Sequence, residues 1–276
     1  MADEPAVPPL VSVRGLRRRY RRRGRLGGPP QVVPALDGAS LEVPRQGLLA
    51  VVGPSGSGKS TLARCIAGLE KADAGQILFE GCEVASLAGR ALATHRRRAQ
   101  LVFQDPARAL SPRMSVGDIL REPLRIAGSL PRPAQSEVAT ALLGVVGLPE
   151  DALARRAAEL SGGQKQRLAI ARALALEPAL LILDESLAGL DVSLQAQIVN
   201  LLLELRETRG LTLIVVSHDL GLVARVADRV AVLENGRTVE EGDAAAVLGA
   251  PQQPLTRALV GEWRRLEARA SEEARA

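Results

Sequence analysis

Short apolar runs and amphipathic stretches alternate along most of the chain. LLAVVG (48–53) is a near-continuous hydrophobic run, the pattern of a strand buried on both faces. STLARCIAGL (60–69) follows, with Leu62, Cys65, Ile66 and Leu69 spaced to share one face of a helix. The alternation resumes with LLILDE (180–185), LQAQIVNLLLEL (194–205), TLIVVSH (212–218), LGLVARVA (220–227) and RVAVLENGR (229–237). Buried strands between amphipathic helices predict an α/β core whose mainly parallel sheet is covered on both faces. VSVRGL (11–16), ASLEV (39–43) and QILFEG (76–81) read instead as antiparallel strands flanking that core. From about 105 to 175 the pattern is mainly helical, which predicts a helical subdomain. The main domain is expected over 9–245. Residues 246–276, rich in Ala, Arg and Glu, are expected to form a tail, either exposed helix or partly disordered, that includes Trp263.

Composition adds constraints without choosing a function. At 276 residues, 46% hydrophobic and 24% charged, the chain has ample material for a folded core. Aromatics are only 1%, so that core must come from Leu, Val, Ile and Ala. The net charge is +5, and eight arginines fall within Arg14–Arg25 around Tyr20, the single tyrosine. Such a run suits a polyanionic partner, and an arm that grips nucleic acid is one reading of it. Cys65 and Cys82 are too few for a disulfide framework or a tetrahedral metal site. MADEPAVPPL has acids and prolines where a secretory signal would carry a basic and then an apolar stretch. No apolar run approaches the roughly 20 residues that span a bilayer. The sequence therefore predicts a soluble chain.

GPSGSGKST (53–61) fits G-x-x-x-x-G-K-[ST] and lies directly after a predicted strand, opening a helix. Gly53, Gly56 and Gly58 let the backbone turn its N–H groups inward, toward phosphate oxygens. The helix N-terminus adds its positive dipole end. Pro54, Ser55, Ser57 and Thr61 complete the candidate nucleotide-binding loop. Lys59 is expected to reach the terminal phosphates and Ser60 to ligate Mg²⁺. LLILDE buries four apolar residues and delivers Asp184 to a strand end, where open α/β sheets place their ligands. Asp184 is a candidate metal ligand, and Glu185 a candidate acceptor for the proton of an attacking water. LSGGQKQRLAIARAL (160–174) gathers a hydroxyl and free N–H groups at the start of an amphipathic helix, a second candidate anion site.

With LSGGQ, the chain resembles the ATP-binding subunits of ABC transporters from about Val11 to about Glu241, motifs in family order. The resemblance implies a P-loop NTPase (RecA-like) fold with an antiparallel β flank, ATP and Mg²⁺ as cofactors, and ATP hydrolysis. It implies that Tyr20 stacks on adenine, that Gln104 joins the metal and water network, and that His218 meets the γ-phosphate. Ser161, Gly162, Gly163 and Gln164, with Asp191 of the D-loop, would contact the nucleotide held by a second ATPase subunit in a head-to-tail dimer. Glu185, His218, Gln104 and Lys59 are then the catalytic candidates, and Ser60, Gln104 and Asp184 the metal candidates.

Within the family, QDPARALSPRMSVGDILREPL (104–124), LDVSLQAQIVNLL (190–202) and PLTRALV (254–260) resemble dipeptide, oligopeptide and nickel importers. That resemblance implies two different ATPase subunits, two permeases, an external solute-binding protein, and a peripheral place on the cytoplasmic face of the cell membrane. Asp105 to Glu122 is the candidate coupling surface. DES replaces the family's usual DEP, AGLD its SALD, and QQPL its HPY. These departures spare every phosphate and metal ligand but weaken the peptide assignment. The alternative is a soluble ABC ATPase acting on nucleic acid or ribosomes. No tandem cassette, coiled-coil insertion or zinc module accompanies the arginine run, so no nucleic-acid partner is expected. An exporter fits less well, since 104–124 is importer-like. His95, in THRRRAQ, is expected at the surface, and Cys65 in the core.

Overall fold

The computed structural model describes residues 8–22, 31–105, 109–128, 130–187 and 191–273. Two sheets form the scaffold. The first is antiparallel, of four strands: β1 (Val11–Arg22), β2 (Gln31–Val43), β4 (Ala74–Phe79) and β5 (Cys82–Glu83), in the order β2-β1-β4-β5. The second has six strands: β3 (Leu48–Val52), β6 (Ala99–Val102), β7 (Leu180–Asp184), β8 (Thr212–Val216), β9 (Arg229–Glu234) and β10 (Arg237–Asp243). Their order is β10-β9-β3-β8-β7-β6, parallel throughout except for β10, which pairs antiparallel with β9 at the edge.

Period-2 alternation explains why these strands read as continuous hydrophobic runs. On β7, Leu181 and Leu183 enter one core cluster while Leu180 and Ile182 enter another, and all four are buried. On β8, Leu213 and Val215 divide from Ile214 and Val216 in the same way. One cluster fills the space between the two sheets and packs α1 (Lys59–Ile66). The other face carries the long helix α6 (Val192–Arg209) and the helices α3 (Val116–Ala127), α4 (Arg132–Val145) and α5 (Gly162–Leu174). Short 3₁₀ turns at Glu150–Ala154 and Ala157–Glu159 join α4 to α5.

Three local expectations are corrected. α1 ends at Ile66, and Gly68 turns the chain at φ 68°, so Leu69 leaves the helix face and is 44% exposed. His95 is buried, not superficial: it lies on α2 (Gly89–Arg98), 4% exposed, with Nε2 2.9 Å from the Ile66 carbonyl and its ring edge-on to Phe79. The C-terminal segment is helical and exposed over 264–269 as expected, but its first part is docked. Glu240 on β10 accepts from the Gln252 and Gln253 N–H groups (2.8 and 3.0 Å) just ahead of α9 (Pro254–Glu273). Val260 and Trp263 of α9 then pack with Leu220 and Val223 of α7 (Leu220–Val226), and with Val247 and Leu248 of α8 (Ala244–Gly249).

Candidate nucleotide-binding and hydrolysis site

The loop from Gly53 to Gly58 joins the C-terminal end of β3 to α1. Gly53 (φ 146°) and Gly58 (φ 105°) take conformations open only to glycine. A Cβ on Gly53 would collide with the Leu233 carbonyl oxygen, and one on Gly58 with that of Ala35. The loop is thus wedged between the parallel sheet and the antiparallel one. Lys59 is 5% exposed, and its Nζ donates to the Gly53 and Pro54 carbonyls, both at 2.9 Å. Burial lowers its pKa, while the Glu185 and Asp184 carboxylates oppose that shift.

The two carboxylates arrive from β7 as expected. Asp184 ends the strand, is buried, and accepts from Ser60 Oγ at 2.9 Å. Burial raises its pKa, the Ser60 hydrogen bond lowers it, and neighbouring Glu185 raises it again. Glu185 follows at φ 49°, a left-handed conformation unusual for a non-glycine residue and typical of functional sites. Its N–H donates to Val216 O at 3.0 Å. Its side chain lies 4.0 Å from Lys59 Nζ and accepts from Gln104 Nε2 at 2.9 Å. Gln104 comes from just beyond β6, so three adjacent parallel strands and the loop converge on one point.

These groups line an open cleft of about 740 Å³ containing Ser55, Gly56, Gly58, Lys59, Ser60, Thr61, Gln104 and Glu185. The antiparallel sheet supplies the other wall: Tyr20 and Arg21 from β1, and Val33 to Ala35 from β2. Tyr20 is half-buried and pairs across the ladder with Val33. Among the arginines around it, Arg17 lies 3.9 Å from Asp37, and Arg18 reaches Asp73 at 3.0 Å and Glu70 at 3.7 Å. Arg23 and Arg25 lie outside the described residues.

The remaining candidates are not among the residues that line the cleft. Ser161 caps α5, its Oγ accepting from Gln164 N at 3.3 Å and its N–H donating to Gln164 Oε1 at 3.0 Å. Ser161 and Gly162 are exposed, and space is open above Gly162, whereas Gly163 packs against Leu194. Asp191 caps α6 through Leu194 N at 2.8 Å, and the preceding residues 188–190 lie outside the described residues. His218 is exposed just past β8, and it makes no hydrogen bond among the described residues. Of the proposed coupling stretch, 106–108 lies outside the described residues. Sequence reasoning missed Arg21 and Val33–Ala35 on the cleft wall. It also missed Glu70, which receives the Tyr20 hydroxyl. Arg21 had a signal, its place beside Tyr20, but Glu70 had none.

A strand-borne phosphate loop, a strand-end Asp–Glu pair and a glutamine hydrogen-bonded to that glutamate define a P-loop ATPase. The chain belongs to the ABC transporter family, whose model matches residues 36–188, and it is an ATP-binding, ATP-hydrolysing subunit of that family. Among its relatives is a peptide import ATP-binding protein of Brucella ovis, 45% identical over 252 residues, 91% of this chain and 78% of that one. Another is the dipeptide transport ATP-binding protein DppF of Escherichia coli, 40% identical over 258 residues, 94% and 77% of the two chains. Among solved structures, the ATP-binding cassette MJ0796, a dimer in a post-hydrolysis state bound to ADP and Pi, superposes with a TM-score of 0.76. It is 29% identical, with 85% of this chain and 98% of that chain covered. Importer cassettes of this family act as dimers with transmembrane permeases. Among the described residues here, no helix is long and apolar enough to cross a membrane.

Proposed function

We propose that this chain is one of two different ATPase subunits of a peptide importer, seated at the cytoplasmic face of the membrane. It would act beneath two permeases that receive cargo from an external solute-binding protein. The names of the Brucella and Escherichia relatives support peptides over nickel as cargo. The observation that carries the mechanism is the division of the site. Lys59, Ser60, Glu185 and Gln104 line one cleft, with the buried Asp184 joined to it through Ser60 Oγ, while the exposed N-terminus of α5 lies outside its lining. A second subunit's α5 would complete the cleft, and this chain's α5 would complete the partner's.

In the reaction, water attacks the γ-phosphorus in line and ADP leaves. Glu185 orients the water and accepts its proton, fixed by the Gln104 amide and the Val216 carbonyl. The loop N–H groups and Lys59 hold the phosphate oxygens, His218 is assigned to the γ-phosphate, and Ser161 to the γ-phosphate held in the second subunit's cleft. The Ser60 hydroxyl and the buried Asp184 carboxylate, 2.9 Å apart, form a hard oxygen set suited to Mg²⁺. With Gln104 Oε1 they would hold the ion, which when bound neutralises phosphate charge. Tyr20 offers its ring to adenine at the opposite end of the cleft.

The test is dipeptide uptake by membrane vesicles carrying the intact complex, with wild-type chain or Lys59→Ala. Permeases that co-purify with both, and uptake only with wild type, support the reading. Undiminished uptake with Lys59→Ala contradicts it.

A further inference from the structure

The wall opposite the phosphate loop contains a clamp around Tyr20 that adenine stacking alone does not require. Its hydroxyl donates to Glu70 Oε2 and lies 3.4 Å from Thr61 Oγ1. The Arg18 guanidinium carbon stands 5.1 Å from the ring centroid, a cation–π distance. Arg18 is itself held by Asp73 at 3.0 Å, and unlike Tyr20 it does not line the cleft. Hydroxyl and one ring face are therefore occupied by protein, leaving the other face for a ligand.

Glu70 is the hub. Arg64 Nε lies 2.8 Å from its Oε1 and Arg18 Nε 3.7 Å from its Oε2. Its backbone is fixed as well: the Leu69 and Glu70 N–H groups both donate to Arg64 O, in the turn that closes α1. That helix begins with Lys59 and Ser60. One eight-residue helix thus carries the phosphate-binding groups at its N-terminus and the anchor of the base platform just beyond its C-terminus. The spacing between the two ends of the cleft is set by α1, not by the β1–β2 hairpin alone.

We infer that Glu70 is a positioning residue that fixes the Tyr20 ring for the purine base, with Arg18 backing the ring. The inference rests on the reading of Tyr20 as the base-stacking residue. A carboxylate acceptor makes the stronger class of hydrogen bond, and pre-orienting the ring removes an entropy cost that ATP would otherwise meet on binding.

The experiment measures binding of magnesium ATP and magnesium tripolyphosphate, which lacks a base, to the full-length chain. Glu70→Ala should weaken ATP binding about five- to tenfold, part of the full value of a stacked base. Tripolyphosphate affinity should stay within about twofold of wild type, as no group touching phosphate changes. Glu70→Gln keeps an acceptor oxygen and should restore ATP affinity to within about threefold. Tyr20→Phe should match Glu70→Ala, and combining them should add nothing, as for two ends of one contact. Wild-type ATP affinity in Glu70→Ala, or an equal loss for tripolyphosphate, overturns the inference. Tyr20→Ala separates the two layers. If it binds ATP like wild type, the stacking assignment fails. If it weakens ATP while Glu70→Ala does not, only the positioning role fails.

Discussion

Glu185→Gln isolates the proton-accepting step proposed for Glu185. The substitution is nearly isosteric and keeps a side-chain oxygen for the Gln104 amide, which lies 2.9 Å from the carboxylate. It removes the proposed proton acceptor and the charge 4.0 Å from Lys59 Nζ. Loss of a positioned general base costs about 10²–10⁴-fold in rate, or about 2.7–5.4 kcal/mol of barrier. Binding should move the other way or not at all. The groups facing phosphate stay in place, and a carboxylate that repels the γ-phosphate is gone. Phosphate release by the assembled complex at saturating ATP gives kcat, and equilibrium binding to the same variant gives Kd. The expected pair is a kcat lowered at least about 100-fold and a Kd equal to or below that of wild type. A kcat within about threefold of wild type would refute the assignment of Glu185 as base. A Kd raised in proportion to the loss of kcat would refute the claim that the substitution is local.

Two further expectations concern the scaffold. His95 is buried with Nδ1 unpartnered, and burial holds its pKa below the usual 6.5. The unfolded chain therefore binds the proton first, and stability, full above about pH 6.5, falls as pH drops through the interval down to the lowered value. The urea midpoint should fall between pH 7.5 and 5.5, and less so in His95→Leu; equal pH dependence in the two would count against it. Glu240 should anchor α9: burial alone would raise its pKa, but Thr256 and the Gln252 and Gln253 N–H groups together hold it below 4.5. Glu240→Ala should cost about 1–2 kcal/mol, as lost helix caps do, and shift the emission of Trp263, the single tryptophan, toward the solvent-exposed limit. An unchanged spectrum and unfolding midpoint would show that the helix docks without it.

Much of the core was legible because its signals are local. LLAVVG, LLILDE and TLIVVSH are apolar on both strand faces, and a parallel sheet covered on both sides is what such runs demand. The loop at 53–61 and the acids at 184 and 185 were legible for the same reason: residue type and strand-end position are both written in the chain. What was not legible depends on distant partners. His95 sits among arginines, yet the Ile66 carbonyl and Phe79 draw it inward. Trp263 lies in a charged stretch, and it takes Glu240, α7 and α8 to dock its helix. The arginine run suggested a polyanion, whereas Arg17 and Arg18 are held by Asp37, Glu70 and Asp73. Tyr20 was visible as the single tyrosine, but the anchor of its hydroxyl is 50 residues away.

The division of the site between subunits is tested most directly at Ser161, which lies outside the cleft of its own chain. Ser161→Arg in this chain, with the matching serine of the partner subunit also changed, leaves both phosphate loops intact. The expected result is unchanged binding of magnesium ATP to the isolated chain, with turnover by the assembled complex lowered at least about 100-fold, as when a transition-state donor is removed. Wild-type turnover in the complex, or ATP binding to the single chain weakened in the same proportion, would contradict completion of each cleft by the other subunit.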